Sequence, residues 1–217
     1  MSEAAAPAAL GDLAIVLHSH MPYVEGFGTY PFGEEWLFDA VLNSHLPVLD
    51  VARDLTMTVT PVLADQLETE GAGERLATFL DEHRLGAARR DAETADGDHV
   101  AAAEAQIVRY EKAATLLEAV DGKPLAAFAA ARERNVSLIP SSATHAVLPL
   151  LATRAGLDTQ VGSGLASHRR RFGESSGFWL PECAYRPGLE GDLARHGIEW
   201  FCLDQSRHET GDEALNP

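Results

Sequence analysis

Leu13-Ala-Ile-Val-Leu17 is an unbroken apolar run that gives way at once to His18-Ser-His20-Met-Pro-Tyr23. A strand that is apolar at every position needs cover on both faces, as a parallel sheet flanked by helices provides, so this run points to an α/β fold. Polar, ring-bearing residues just past such a strand lie at the carboxyl end of the sheet, where α/β folds leave room for a ligand.

The arrangement recurs twice. Val136-Ser-Leu-Ile139 is followed by Pro140-Ser-Ser-Ala-Thr-His145-Ala-Val-Leu-Pro149, and Gly177-Phe-Trp-Leu180 by Pro181-Glu182-Cys-Ala-Tyr185. Strand alternation puts Phe178, Leu180 and Glu182 on one side and Trp179 and Pro181 on the other, which sets Glu182 on a face otherwise meant for burial. A buried carboxylate is costly unless it is paired, so Glu182 either handles a ligand or serves structurally, capping the next segment or pairing with Arg186. His18 and His20, two residues apart on an extended chain, point the same way and suit either a metal ion or a hydroxyl-rich ligand. Three strand ends delivering His18, His20, His145 and Glu182 carry more weight together than any one of them alone.

Between the second and third strands the region 63–135 is too long for a simple crossover and reads as a helical insertion. Val100, Ala103, Ile107, Tyr110, Ala114 and Leu117 recur at helical spacing, and a second helix is expected from Pro124 through 125–134. Gly71, Gly73 and Asp96-Gly-Asp98 mark loops. Gly162-Ser-Gly164 is expected ahead of a basic helix, 167–171, whose Arg169-Arg-Arg171 run pairs with neighbouring acids.

With 217 residues, 46% of them apolar, the chain can bury a sizeable core. No apolar stretch is long enough to span a membrane. Residues 1–10 lack the basic start and apolar stretch of a signal peptide and are expected to be a disordered leader, with a domain over 11–205 and a polar tail over 206–217. Cys183 and Cys202 are too few for a disulfide framework or a cysteine-ligated zinc. Acids outnumber basic residues 33 to 17, the net charge is −16, and Lys112 and Lys123 are the only lysines. Such a surface repels nucleic acid and anionic membranes and matches proteins that work in concentrated salt; a cytoplasmic location and a halophilic source are expected.

In this order, His18-Ser-His20-Met-Pro-Tyr23, Ala143-Thr-His145-Ala-Val-Leu-Pro149 and Trp179-Leu-Pro-Glu182-Cys-Ala-Tyr185 resemble the first three signature regions of glycoside hydrolase family 57. Glu34-Glu-Trp-Leu-Phe-Asp39 and Thr56-Met-Thr-Val-Thr-Pro-Val-Leu63 extend the likeness toward the family's glucan branching enzymes. The resemblance implies an α/β fold of the (β/α)7-barrel type acting on α-1,4-glucan by a retaining mechanism without cofactor or metal. It places Glu182 as nucleophile, and His18, His20, Tyr23, Trp36, His145, Trp179 and Tyr185 as substrate-binding residues.

Two departures accompany the likeness. Candidate strands fall at 12–18, 56–62, 136–140, 177–182 and 199–203, fewer than the barrel needs, so an incomplete barrel is expected. The family's general acid is an aspartate well downstream of the nucleophile; neither Asp192, Asp204 nor Asp212 fits, and Asp204 is the one internal substitute to test. A truncated form, or one completed by a second chain or a homo-oligomer, follows as the expectation. Two rival readings are a metal-dependent hydrolase using His18, His20 and His145, with Glu182 as a further ligand, and a non-catalytic glucan-binding relative.

Overall fold

The computed structural model describes residues 13–204; the expected leader at 1–10, the tail at 206–217 and Asp212 lie outside the described residues. Strand β1 (Val16–Ser19) leads through a long loop to α1 (Glu34–Ala40), which runs on through a π turn into α2 (Leu46–Val51). Strand β2 (Leu55–Val59) is followed by α3 (Pro61–Leu67), by α4 (Ala72–Thr78) continuing through a second π turn into α5 (Gly86–Thr94), by the long α6 (His99–Glu118) and by α7 (Pro124–Ala131). Then come β3 (Val136–Ile139), α8 (Arg154–Phe172), β4 (Gly177–Phe178), α9 (Leu189–Arg195) and β5 (Trp200–Phe201).

All strand pairs are parallel, and spatial order follows chain order. β1, β2 and β3 form one ladder, β4 and β5 another, and a parallel bridge between Ser141 and Trp179 links the two. Parallel neighbours demand crossovers, which the helices supply. Every strand therefore exits on the same rim, and that common direction is what brings distant sequence segments together. In β2, the central strand of its ladder, Met57, Thr58 and Val59 are all buried, as the two-sided cover of such a strand requires.

A larger core packs Phe38, Leu42, Leu63, Phe79 and Phe128 around β1 to β3, and a smaller one packs Phe178 and Leu180 against Leu157, Val161 and Leu189. Each fully buried side chain of this size contributes roughly 1.5–3 kcal/mol.

Several expectations need correction. β1 starts at Val16, and Leu13 and Ile15 are 89% and 50% exposed, because no described strand covers the outer edge of β1. Val100 is exposed on α6, and Ala113 takes a place in its buried face instead. Gly162 and Gly164 do not precede a helix but lie inside α8, which starts at Arg154 with the Thr153 hydroxyl accepting the Gly156 N–H at 3.1 Å. The arginine run does pair with acids: Arg171, its side chain 4% exposed, holds Asp65 and Glu68 of the α3 segment at 2.5 Å each. Among the described residues no helix is long and apolar enough to cross a membrane.

Candidate active site

At the exit of β1, His18 stands directly opposite Thr58 of β2. The His18 Nδ1 and Thr58 Oγ1 atoms lie 2.5 Å apart, and the buried Thr58 oxygen also accepts the Ser19 N–H at 3.2 Å. One step further along both strands, His20 Nδ1 meets Thr60 Oγ1 at 3.0 Å. The loop after β3 carries His145, whose backbone is left-handed at φ 57° and whose Nε2 lies 2.9 Å from Nε2 of His18. That loop is braced by α8: the Gln160 side chain accepts the Thr144 N–H, and the Ala143 N–H reaches the Gln160 carbonyl.

Four rings stack as a result. Trp179 lies 4.8 Å from His18 at an interplanar angle of 16°, His18 lies 4.9 Å from His145, and His145 lies 4.0 Å from His20 at 15°. Trp179 reaches this position because its N–H donates to the Pro140 carbonyl at 2.8 Å, while the Ser141 hydroxyl donates to its carbonyl at 3.0 Å. Its indole N–H is buried with no hydrogen-bond partner.

Burial first, and then the neighbouring rings His145 and His20, push His18 down to about 4. His20 falls to about 4 through burial and His145. Burial also lowers His145, while the Glu182 carboxylate pulls it back up, so that carboxylate is close enough to act on the cluster. At neutral pH the imidazoles are uncharged. They offer hydrogen bonds and flat faces rather than cations.

Strand alternation fails at Glu182. Paired strand ends at Phe178, Pro181 is buried, and 181–183 form a tight turn in which Glu182 and Cys183 are left-handed at φ 59° and 50°. Glu182 is consequently exposed rather than set on the buried face. Pro181 has no N–H to extend the ladder, and the turn that follows aims the carboxylate away from the strand direction. Backbone strain of this kind, in residues with side chains, collects at ligand sites. The Cys183 thiol is raised by burial, then by Cys202, Asp204 and Glu182, which places Asp204 in the same neighbourhood.

Other expected residues are spread wider. Tyr23 is 58% exposed, donates to Glu25 at 3.1 Å, and with His20, Asp65, Thr144 and His145 lines a cavity of about 480 Å³. Trp36 projects from α1, 57% exposed, without a ring contact to the histidines. Tyr185 stacks on Phe201 at 6.0 Å and donates to Glu190 at 2.7 Å, on the far side of the Glu182 turn. A larger cavity of about 680 Å³ opens beside Ser137, Glu174 and Trp200 and holds none of the candidate residues, so ring clustering and not volume marks the site. Thr58 and Thr60 escaped the sequence reading, since a strand threonine reads as an ordinary β-branched residue; the parallel register opposite His18 is the signal that exposes them.

The cluster does not suit a metal ion. Nε2 of His18 and Nε2 of His145 are engaged with each other at 2.9 Å, the rings lie face to face, and among the described residues no group of three His, Cys, Asp or Glu side chains is arranged to hold one.

Comparison with known proteins adds the following. The family model described as Glycosyl hydrolase family 57 matches residues 14–216. A 1,4-alpha-glucan branching enzyme of Thermococcus kodakarensis is 35% identical over 88% of this chain and 30% of its own length. A probable 1,4-alpha-glucan branching enzyme of Mycobacterium tuberculosis is 31% identical over 94% of this chain and 43% of its own. Among solved structures, the GH57-type branching enzyme of Pyrococcus horikoshii superposes with a TM-score of 0.79 at 33% identity, covering 86% of this chain and 40% of that one. The alpha-amylase AmyC of Thermotoga maritima gives 0.80 at 27% identity, covering 88% and 39%. The chain thus spans less than half the length of these relatives.

Proposed function

Since the chain belongs to glycosyl hydrolase family 57, we propose that its stacked rings and Glu182 form the sugar subsite of an α-glucan-active retaining glycosidase or transglycosylase of the branching-enzyme kind. The observation that carries this reading is the meeting of His18, His20, His145 and Trp179, from three strand exits, in one wall within electrostatic reach of Glu182. In this reading Glu182 attacks the anomeric carbon, the glucosyl bond to the leaving oxygen breaks, and water or a glucan hydroxyl later displaces the carboxylate. Ring nitrogens hold sugar hydroxyls, Trp179 offers a flat face to sugar C–H groups, and Tyr23, Trp36 and Tyr185 extend the contact along α-1,4-glucan.

A retaining pair needs a second carboxyl about 5 Å from the first to protonate the leaving oxygen. Asp192 is unsuited to that task, because Arg195 holds its carboxyl below the usual range. Asp204 is the internal candidate. Otherwise the acid comes from protein beyond these 217 residues, in a continuation or a second chain that completes a (β/α)7 barrel of which 11–205 is the first part and 63–135 the helical insertion.

The test uses a donor that needs no acid. With an α-maltosyl fluoride the leaving group departs unprotonated, so the chain should release fluoride and carry a glycosyl adduct on Glu182 in a peptide mass map. Glu182→Gln should lower fluoride release more than about a hundredfold. Equal release by both forms would discard Glu182 as nucleophile and leave the glucan-binding relative standing. Asp204→Asn should leave fluoride release unchanged yet abolish any turnover of amylose if Asp204 supplies the proton.

A further inference from the structure

The hydrogen bonds behind the ring wall determine which imidazole nitrogens carry protons. We infer that Thr58 and Thr60 are positioning residues that donate their hydroxyl protons to Nδ1 of His18 and His20, locking both rings as Nε2–H tautomers. His20 and His145 are thereby hydrogen-bond donors to the hydroxyl oxygens of a neutral sugar. The sugar half of this inference rests on the glucan reading above; the tautomer half does not.

Proton accounting fixes the direction of each bond. A threonine hydroxyl has one proton to give and two lone pairs. Thr58 already accepts the Ser19 N–H, and it is 0% exposed. Were His18 to donate from Nδ1, the Thr58 proton would have no acceptor among the described residues, the expensive arrangement for a buried group. Donation from Thr58 to Nδ1 satisfies both the Thr58 hydroxyl and His18 Nδ1. The His18 proton then sits on Nε2 and goes to His145 Nε2 at 2.9 Å, which leaves the His145 proton on Nδ1. Thr60, likewise 0% exposed, has His20 Nδ1 as its one side-chain partner, so the same reasoning puts the His20 proton on Nε2.

Two uncharged N–H donors then remain without an acceptor among the described residues, Nε2 of His20 and Nδ1 of His145. Their complement is a set of oxygen acceptors. Glu182 stands within electrostatic reach of the rings, and its carboxylate would repel a phosphorylated or uronic sugar, so a neutral hexose unit fits.

The experiment is nitrogen-15 NMR of the full chain with labelled histidine near pH 7, resonances being assigned with single histidine variants. His18 and His20 should show bare Nδ1 and protonated Nε2, and His145 the reverse. Thr58→Val should let His18 and His145 mix tautomers together, Thr60→Val should affect His20 alone, and Thr58→Ser and Thr60→Ser should restore the pattern. In calorimetry, Thr60→Val should weaken maltooligosaccharide binding about tenfold and Thr60→Ser less than about twofold. Protonated Nδ1 on His18 or His20 in the unaltered chain overturns the threonine assignment, whatever sugar binds. The stated tautomers in a chain that binds no maltooligosaccharide overturn the glucan reading and the sugar half with it. Should a valine disturb the sheet, the tautomers of the unaltered chain decide.

Discussion

Burial is the first cause holding the imidazoles of His18, His20, His45 and His168 down to about 4. An unfolded chain would protonate these histidines near 6.5, so between about 6.5 and 4 it binds more protons than the folded one. Their contribution is complete above 6.5 and is lost as pH falls through that window. For His168, 4% exposed, the loss is on the order of 3 kcal/mol, and for the half-open site rings it is less. Denaturation midpoints measured from pH 7.5 to 4.5 should therefore fall, and His168→Gln should flatten the slope. Glu182 allows a second prediction. A side chain at φ 59° costs roughly 1–2 kcal/mol that glycine avoids, so Glu182→Gly should hold or raise thermal stability while removing nucleophilic chemistry, whereas Glu182→Gln keeps the strain. Of the ring wall, His18, His20 and His145 were legible in the sequence because each closes or follows an apolar strand, and Trp179 because it lies in one. The exposure of Glu182 was not, because alternation holds only while pairing continues, and the last paired position of this segment is Trp179.

Helix α8 shows how an element sets the site from a distance. A Cβ on Gly164 would come within 2.1 Å of the Ser141 carbonyl oxygen, so glycine there lets the helix lie against the loop that carries His145. Gly164→Ala should cost about 1–3 kcal/mol and weaken maltooligosaccharide binding, because helix or loop must shift. Gly191→Ala, on α9 with nothing within 4 Å, should instead stabilise by about 0.5–1 kcal/mol. Thermal melts of the two variants check the contrast. The sequence pattern sets these glycines ahead of a basic helix at 167–171, whereas the Thr153 cap starts α8 at Arg154, ten residues before Gly164. Packing against a neighbouring backbone, invisible to local pattern, overrides the propensity.

Two features belong to the molecule as a whole. The net charge of −16 makes the folded chain repel itself, and salt near 1 M shortens the screening length to about 3 Å, so the melting temperature should rise by several degrees between 0.05 and 2 M potassium chloride. A melt indifferent to salt would remove the halophilic reading. Among the described residues β1 and β5 each pair on one side, and Ile15 at the β1 edge is 50% exposed. Ile15→Lys should reduce self-association in light scattering without altering fluoride release. The five strands themselves were legible in the sequence as successive apolar runs, while the shortness of β4 and β5 was not, since two-residue strands leave no period to read.

Because the strands run parallel in chain order and the candidate residues His20, His145 and Glu182 all lie past the last paired positions of β1, β3 and β4, pairing and the proposed chemistry draw on largely separate stretches of sequence. A lineage built on this plan can rewrite what it recognises through substitutions around the mouths of its strands, at little expense to the scaffold. His18 and Thr58 are the exceptions, being opposite rungs of the ladder as well as parts of the wall, and it is there that drift should be least tolerated.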